Sequence, residues 1–217
     1  STRPGHESVT AEEELERLMP ALEAMVSRVN LPVSVDTSKA VVAQTAVAAG
    51  AAIINEQWGL KSEPEIAIVA AQTGAGLILM HNQKGRHYND LIPDISSSLS
   101  ASAKTALDAG VPKGNIIFDP GSGFGKTPDH NLEILNRLRE FTSLGYPLLL
   151  GTSRKSTIGM VLDLAVEERV EGTAATVALA IAAGVDIVRV HDVRHMVRVC
   201  RMSDAVVRGW RPSGWKR

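Results

Sequence analysis

Pro147-Leu148-Leu149-Leu150-Gly151 is apolar until it stops abruptly on Thr152-Ser153-Arg154-Lys155. A run of this kind reads as a strand covered on both faces, because a buried parallel strand has no wet side that calls for alternating polar residues. Five more stretches share the design. They are Pro32–Val35 before Asp36-Thr37, Ala51–Ile54 before Asn55-Glu56-Gln57, Leu77–Met80 before His81-Asn82, Asn115–Phe118 before Asp119, and Asp186–Val190, carrying Arg189, before His191-Asp192. Ligands of α/β proteins gather at the carboxyl ends of such strands, so the polar ends outline a site. Ser1-Thr2-Arg3-Pro4-Gly5 reads as one more strand end whose strand would precede this chain.

The segments between the strands carry helical periodicity. From Thr10 to Asn30, Leu15, Leu18, Met19, Leu22, Met25, Val26 and Val29 recur at helical spacing behind a Thr10 cap with Glu13 three residues on. Further helices are predicted over 39–49, 64–73, 91–109, 129–142, 167–183 and 195–207, several of them stopped by a glycine. Alternating strands and helices imply right-handed crossovers and a parallel sheet. The strand count suits an open doubly wound sheet. The distribution of polar ends suits a (β/α)8 TIM barrel, where every strand delivers residues to one face, and we expect a barrel reduced to its third to eighth strands plus the loop after the second. Residues 1–207 would form this domain and 208–217 a basic tail.

Composition narrows the class. The chain has 217 residues, 44% hydrophobic and 4% aromatic, enough for one large aliphatic core. With 23 basic and 24 acidic residues the net charge is -1, so nothing global favours nucleic acid or an anionic membrane, and no apolar run reaches spanning length. A single cysteine, Cys200, fits a buried structural thiol in a reducing compartment, and the cytoplasm is expected.

Asp119-Pro120-Gly121-Ser122-Gly123-Phe124-Gly125-Lys126-Thr127 ends in Gly-Lys-Thr, yet proline stands where a Walker loop requires its first glycine, and the spacing also fails a dinucleotide fingerprint. What remains is a carboxylate at a strand end followed by a loop whose backbone can approach a flat ligand; a glycine-rich turn capped by Asp119 is the alternative. Thr152 to Ser156 offers hydroxyls, a guanidinium and an ammonium, suited to phosphate or to a solvated loop. Arg189 and His191 share one strand face. They fit an anion, or Arg189 pairs with Asp119 or Asp192 instead. Asp36 and Asn55 offer polar edges to a heterocycle or cap the next helix, and His81 reads as a core histidine. No metal-ligand spacing is visible, so a metal would arrive as Mg2+ with phosphates.

Taken in order, Ser1–Gly5, Ser34–Lys39, Ile53–Gln57, Leu77–Asn82, Phe118–Thr127, Gly151–Ser156 and Arg189–Val193 resemble dihydropteroate synthase, which joins 6-hydroxymethyl-7,8-dihydropterin pyrophosphate to 4-aminobenzoate in folate biosynthesis. The resemblance implies a (β/α)8 barrel, a homodimer and Mg2+. It assigns Asp36, Asn55, Met80, Asp119, Phe124, Gly151 and Lys155 to the pterin; Arg3, Arg189 and His191 to the pyrophosphate; and Thr2, Pro4 and Ser156 to the aminobenzoate, where sulfonamides compete. Lys155, Arg189 and His191 would carry the catalysis. The family's first strand and its metal-binding loop have no counterpart here, so the chain is expected to be part of a longer product. Glu56, Gln57 and Thr157 stand where the family usually has aspartate, an apolar residue and an aromatic. A pterin-binding methyltransferase domain and a non-catalytic pterin binder are the alternatives.

Overall fold

The structure, a computed structural model, describes residues 9–215 and divides into two compact units. One holds the chain up to Asn82 together with Ser97–Phe118; the other holds Gln83–Ser96 and the chain from Asp119 onward. The first strand pairs with the second, the second with the third and the fifth with the sixth, all in parallel.

In the first unit α1 (Ala11–Val26) starts where the sequence places it, with the Glu13 amide donating to the Thr10 hydroxyl at 3.2 Å. It stops short of the expected Asn30: the Arg28 and Val29 amides both fold back onto the Met25 carbonyl, and Val29 and Leu31 stay exposed. Strands β1 (Ser34–Asp36), β2 (Ile53–Glu56) and β3 (Gly76–Met80) alternate with α2 (Ala40–Ala48) and α3 (Glu65–Thr73). Registry sets Asp36 beside Asn55, and Asn55 and Glu56 beside Ile78 and Leu79. Polar strand ends are thereby aligned by the ladder itself. Ile54, Leu77 and Leu79 are fully buried, as continuous apolar strands of a covered parallel sheet should be. Helix α4 (Leu91–Asp108) leads to β4 (Ile116–Asp119), which follows β3 in the strand order β1-β2-β3-β4.

The second unit carries α5 (Pro128–Asn136), α6 (Leu138–Thr142), β5 (Leu149–Leu150), α7 (Ser156–Leu162), α8 (Val170–Ala182), β6 (Ile187–Val188) and α9 (Val193–Val207). Leu149 and Leu150 lie beside Ile187 and Val188, and the Arg189 amide extends the ladder to the Leu150 carbonyl at 2.9 Å. One sequence expectation is corrected here, and one helix is added. The helix predicted over 129–142 breaks at Arg137 (φ -108°, ψ 20°), whose guanidinium bridges Glu133 and Glu140 while Leu138 and Phe141 turn fully inward. The segment after Lys155 is helical, α7, although a seven-residue helix containing Gly159 has too little periodicity to announce itself. Val177, Ile181 and Met196 pack α8 on α9, with Cys200 partly buried at the margin. Beyond α9 the chain folds back: Arg211 donates to the Ala205 and Trp210 carbonyls, and Arg201 lies over the Trp210 ring.

Candidate active site

Three of the residues assigned from sequence lie in the first unit. Asp36 ends β1, exposed, and accepts a hydrogen bond from the Gln57 amide nitrogen. Asn55 and Met80 are buried. Glu56, fully buried, sits in a nest of amides: Trp58 and Leu60 donate to its two oxygens at 2.8 and 2.6 Å. Burial raises its pKa against the pull of those amides, and Asp36 adds to the rise. Gln57 is also buried, and its amide oxygen has no hydrogen-bond partner.

The second unit gathers Asp119, Phe124, Gly151, Lys155, Ser156, Arg189 and His191. Asp119 is 1% exposed and binds on both oxygens, taking the Gly121 amide at 2.8 Å and the Arg189 guanidinium at 2.8 Å. The internal pairing of Arg189 left open by the sequence is thus realised with Asp119. Arg189 stays 41% exposed, so the pair has a buried anion and a cation still reachable from solvent. A methyl group at Gly151 would stand 3.1 Å from that guanidinium, which would have to shift by a few tenths of an ångström to admit it.

Lys155 donates to the Ser122 carbonyl, and its ammonium lies 4.9 Å from the centre of the Phe124 ring. Burial lowers its pKa to about 8, with Asp119 opposing and Arg189 reinforcing the shift. A side chain at Gly123 would stand 3.2 Å from the Lys155 stem, and Gly123 has φ +83°, so the loop needs glycine twice over. The neighbouring Arg154 is held at φ +57°, a left-handed conformation that costs a non-glycine residue about 1 kcal/mol or more. Its amide donates to Thr173, its carbonyl accepts from Arg169, and its guanidinium forks onto Asp192 at 2.9 and 2.6 Å. That fork lowers the Asp192 pKa. Arg154 therefore anchors the turn that presents Lys155.

His191 is tied at two points to Ser153, amide to hydroxyl at 3.1 Å and Nδ1 to hydroxyl at 3.0 Å. Ser156 is exposed at the start of α7. Thr2, Arg3 and Pro4 lie outside the described residues. Among the described residues no group of three or more His, Cys, Asp or Glu is arranged to hold a metal ion. Ser153, Asn131 and Asp192 support the site, although only Ser153 and Asp192 stand in stretches that the sequence singles out. Asn131 has no local signal beyond being a polar residue that turns out buried within an amphipathic helix.

Residues 1–191 match the family described as pterin binding enzyme. The dihydropteroate synthase of Bacillus subtilis is 54% identical over 207 residues, covering 95% of this chain and 73% of the relative. The chain belongs to the dihydropteroate synthase family. The synthase of Clostridium beijerinckii is 49% identical over 209 residues, covering 96% of this chain and 78% of its own. Among solved structures, the dihydropteroate synthase of Clostridium difficile in the presence of pteroic acid has a TM-score of 0.93 at 45% identity, covering 96% of this chain and 80% of that one. That of Xanthomonas albilineans with 4-aminobenzoic acid has a TM-score of 0.91 at 38% identity, covering 95% and 76%. These likenesses place the chain in the TIM-barrel class over the open doubly wound sheet, and among the transferases of folate biosynthesis over the methyltransferase reading.

Proposed function

We propose that this chain performs its family's condensation with the residues described above. The substrates are 6-hydroxymethyl-7,8-dihydropterin pyrophosphate and 4-aminobenzoate; the products are 7,8-dihydropteroate and pyrophosphate. The observation that carries this reading is the Asp119–Arg189–Lys155 group, in which a buried carboxylate pairs with Arg189 and acts by its charge on Lys155. The bond from the pterin methylene to the pyrophosphate oxygen breaks with both electrons going to oxygen. Lys155, Arg189 and His191, joined by Arg3, receive that charge, and preorganised cations are the form of catalysis such a step needs. The arylamine nitrogen of 4-aminobenzoate then bonds to the methylene and releases a proton. Asp36, Asn55, Met80, Asp119, Phe124 and Gly151 hold the pterin, with the carboxylates favouring its cationic form. The family resemblance gives Thr2, Pro4 and Ser156 to the aminobenzoate. When the Ser153 hydroxyl donates to Nδ1 of His191, the ring proton stands on Nε2, ready to meet a pyrophosphate oxygen.

Mg2+ would enter with the pyrophosphate, since the described residues supply no ligand cluster of their own. We place the protein in the cytoplasm, where a lone free thiol such as Cys200 stays reduced. A homodimer through the last helices is supported by the exposure of Met160 and Val161 on α7, Leu179 on α8 and Val206 on α9. Sedimentation at micromolar concentration tests the dimer. For the activity, pyrophosphate release is measured with both substrates and Mg2+. Release that requires 4-aminobenzoate is expected; pterin binding without any release would leave a non-catalytic pterin binder.

A further inference from the structure

Asn131 is buried on α5 and uses all its hydrogen-bonding capacity. Its Oδ1 accepts from the Gly123 amide at 2.7 Å and from the Ser122 hydroxyl at 3.4 Å. Its Nδ2 donates to the Thr127 carbonyl at 2.9 Å and to the Thr157 hydroxyl at 3.1 Å. The orientation of the amide follows from its partners, because a backbone N–H can only donate and a carbonyl can only accept. These bonds close a ring. Lys155 reaches the Ser122 carbonyl, Ser122 and its neighbour Gly123 reach Asn131, and Asn131 reaches Thr157, two residues beyond Lys155 on the same turn into α7.

We propose that Asn131 and Thr157 are positioning residues for Lys155, locking the glycine loop to the start of α7 so that the Ser122 carbonyl fixes where the ammonium stands. The proposal rests on the functional reading above for what the ammonium does, and on geometry alone for how it is held. Neither side chain needs to touch a substrate. Within the ring, the loop after Asp119 and the turn after β5 are linked twice, once through the ammonium and once through the amide, so neither shifts without the other. A carbonyl held from behind cannot follow the ammonium when charge develops at the substrate. Charge stabilisation depends on such preorganisation, and small displacements of the charged group are costly.

Thr157→Val removes the hydroxyl while keeping the shape of a buried side chain; Thr157→Ser keeps the hydroxyl. Asn131→Ala removes the whole junction. Two measurements apply to each: turnover with its kcat and KM resolved, and the pH midpoint of Lys155 acetylation by acetic anhydride, followed by peptide mass spectrometry on the intact chain. Thr157→Val should lower kcat about tenfold, with KM for 4-aminobenzoate nearly unchanged. Its acetylation midpoint should move upward from about 8 toward the ordinary lysine value as the ammonium escapes its crowded place. Thr157→Ser should restore both, and Asn131→Ala should exceed Thr157→Val. A wild-type midpoint and kcat in Thr157→Val would overturn the proposal even if Asn131→Ala fails to fold. Absence of pyrophosphate release by the unaltered chain would overturn the functional reading instead, while the acetylation series still decides whether the ring positions Lys155.

Discussion

The polar ends in the first unit and those in the second are built on opposite plans. At β2 the buried carboxylate is answered by the chain's own backbone: Glu56 takes the Trp58 and Leu60 amides, while Thr37 donates its amide to the Asn55 carbonyl. Around β4 and β5 the guanidinium groups are answered by carboxylates, Arg189 by Asp119 and Arg154 by Asp192, and the Arg189 side chain remains 41% exposed. A backbone nest fixes a group in one place and one environment. An ion pair with an exposed cation can keep its anion and still accept a second one from a ligand. The first plan suits recognition of a neutral, planar edge; the second suits charge that appears during a reaction.

The sharpest way to break this contrast is to remove a cation from the second plan. Lys155→Ala and Arg189→Ala should each lower turnover by about a hundredfold or more if they stabilise developing charge, and near-normal rates would sink the assignment. The pH profile gives the same test without substitution. The ammonium of Lys155 is present below pH about 8, so turnover should fall as pH rises through that value. Stability should move the other way. The unfolded chain holds this proton up to the ordinary lysine pKa while the folded chain releases it near 8, so between those limits the unfolded state binds more protons and stability rises with pH. Activity and stability that fall together over this range would show that something other than Lys155 governs the profile.

A substitution in the first plan should act on stability in place of rate. Glu56→Gln turns one acceptor into an amide NH2 donor facing a backbone N–H of the nest, leaving buried donors opposed, which costs about 2 kcal/mol in denaturant unfolding. A neutral outcome would mean the nest does not hold the side chain as described. Smaller still is Ser153→Ala, which removes the hydroxyl from His191 and leaves the imidazole to choose its own orientation. The loss is about 1 kcal/mol, seen as a several-fold rise in KM for the pterin pyrophosphate with the fold intact.

Much of this arrangement is legible before any coordinates. The apolar runs ending on polar clusters mark Asp36, Asn55, Asp119, Lys155, Arg189 and His191, because a buried parallel strand leaves its pattern in consecutive residues. The pairing of cations is not legible in that way. Asp119 and Arg189 are 70 positions apart, and period two along a strand gives the face of Arg189 while leaving Asp119 and Asp192 as alternative partners. Asn131 is hidden for a different reason: its two shortest hydrogen bonds, to the Gly123 amide and the Thr127 carbonyl, are to backbone atoms, and backbone atoms leave no sequence signature. Thr157 does stand out as a departure from the family pattern, yet its role emerges only when Asn131 is found within reach of its hydroxyl.

Gln57 gives the smallest effect and the one of opposite sign. Its amide nitrogen is committed to Asp36, so its oxygen is the buried acceptor left without a hydrogen. An unmet buried acceptor costs about 1–3 kcal/mol, whereas Asp36, exposed, recovers water in place of a lost amide. Gln57→Met keeps a side chain of similar length and removes the unmet oxygen. Stability should therefore hold or rise by up to about 1 kcal/mol, against the usual trend for buried substitutions. Pterin affinity separates the two possible roles of this residue. If Gln57 serves to hold Asp36 for the pterin, Gln57→Met weakens binding while stability rises, and the first plan pays stability for recognition. If affinity and stability rise together, Asp36 binds better when released, and the Gln57 contact restrains the site instead of building it.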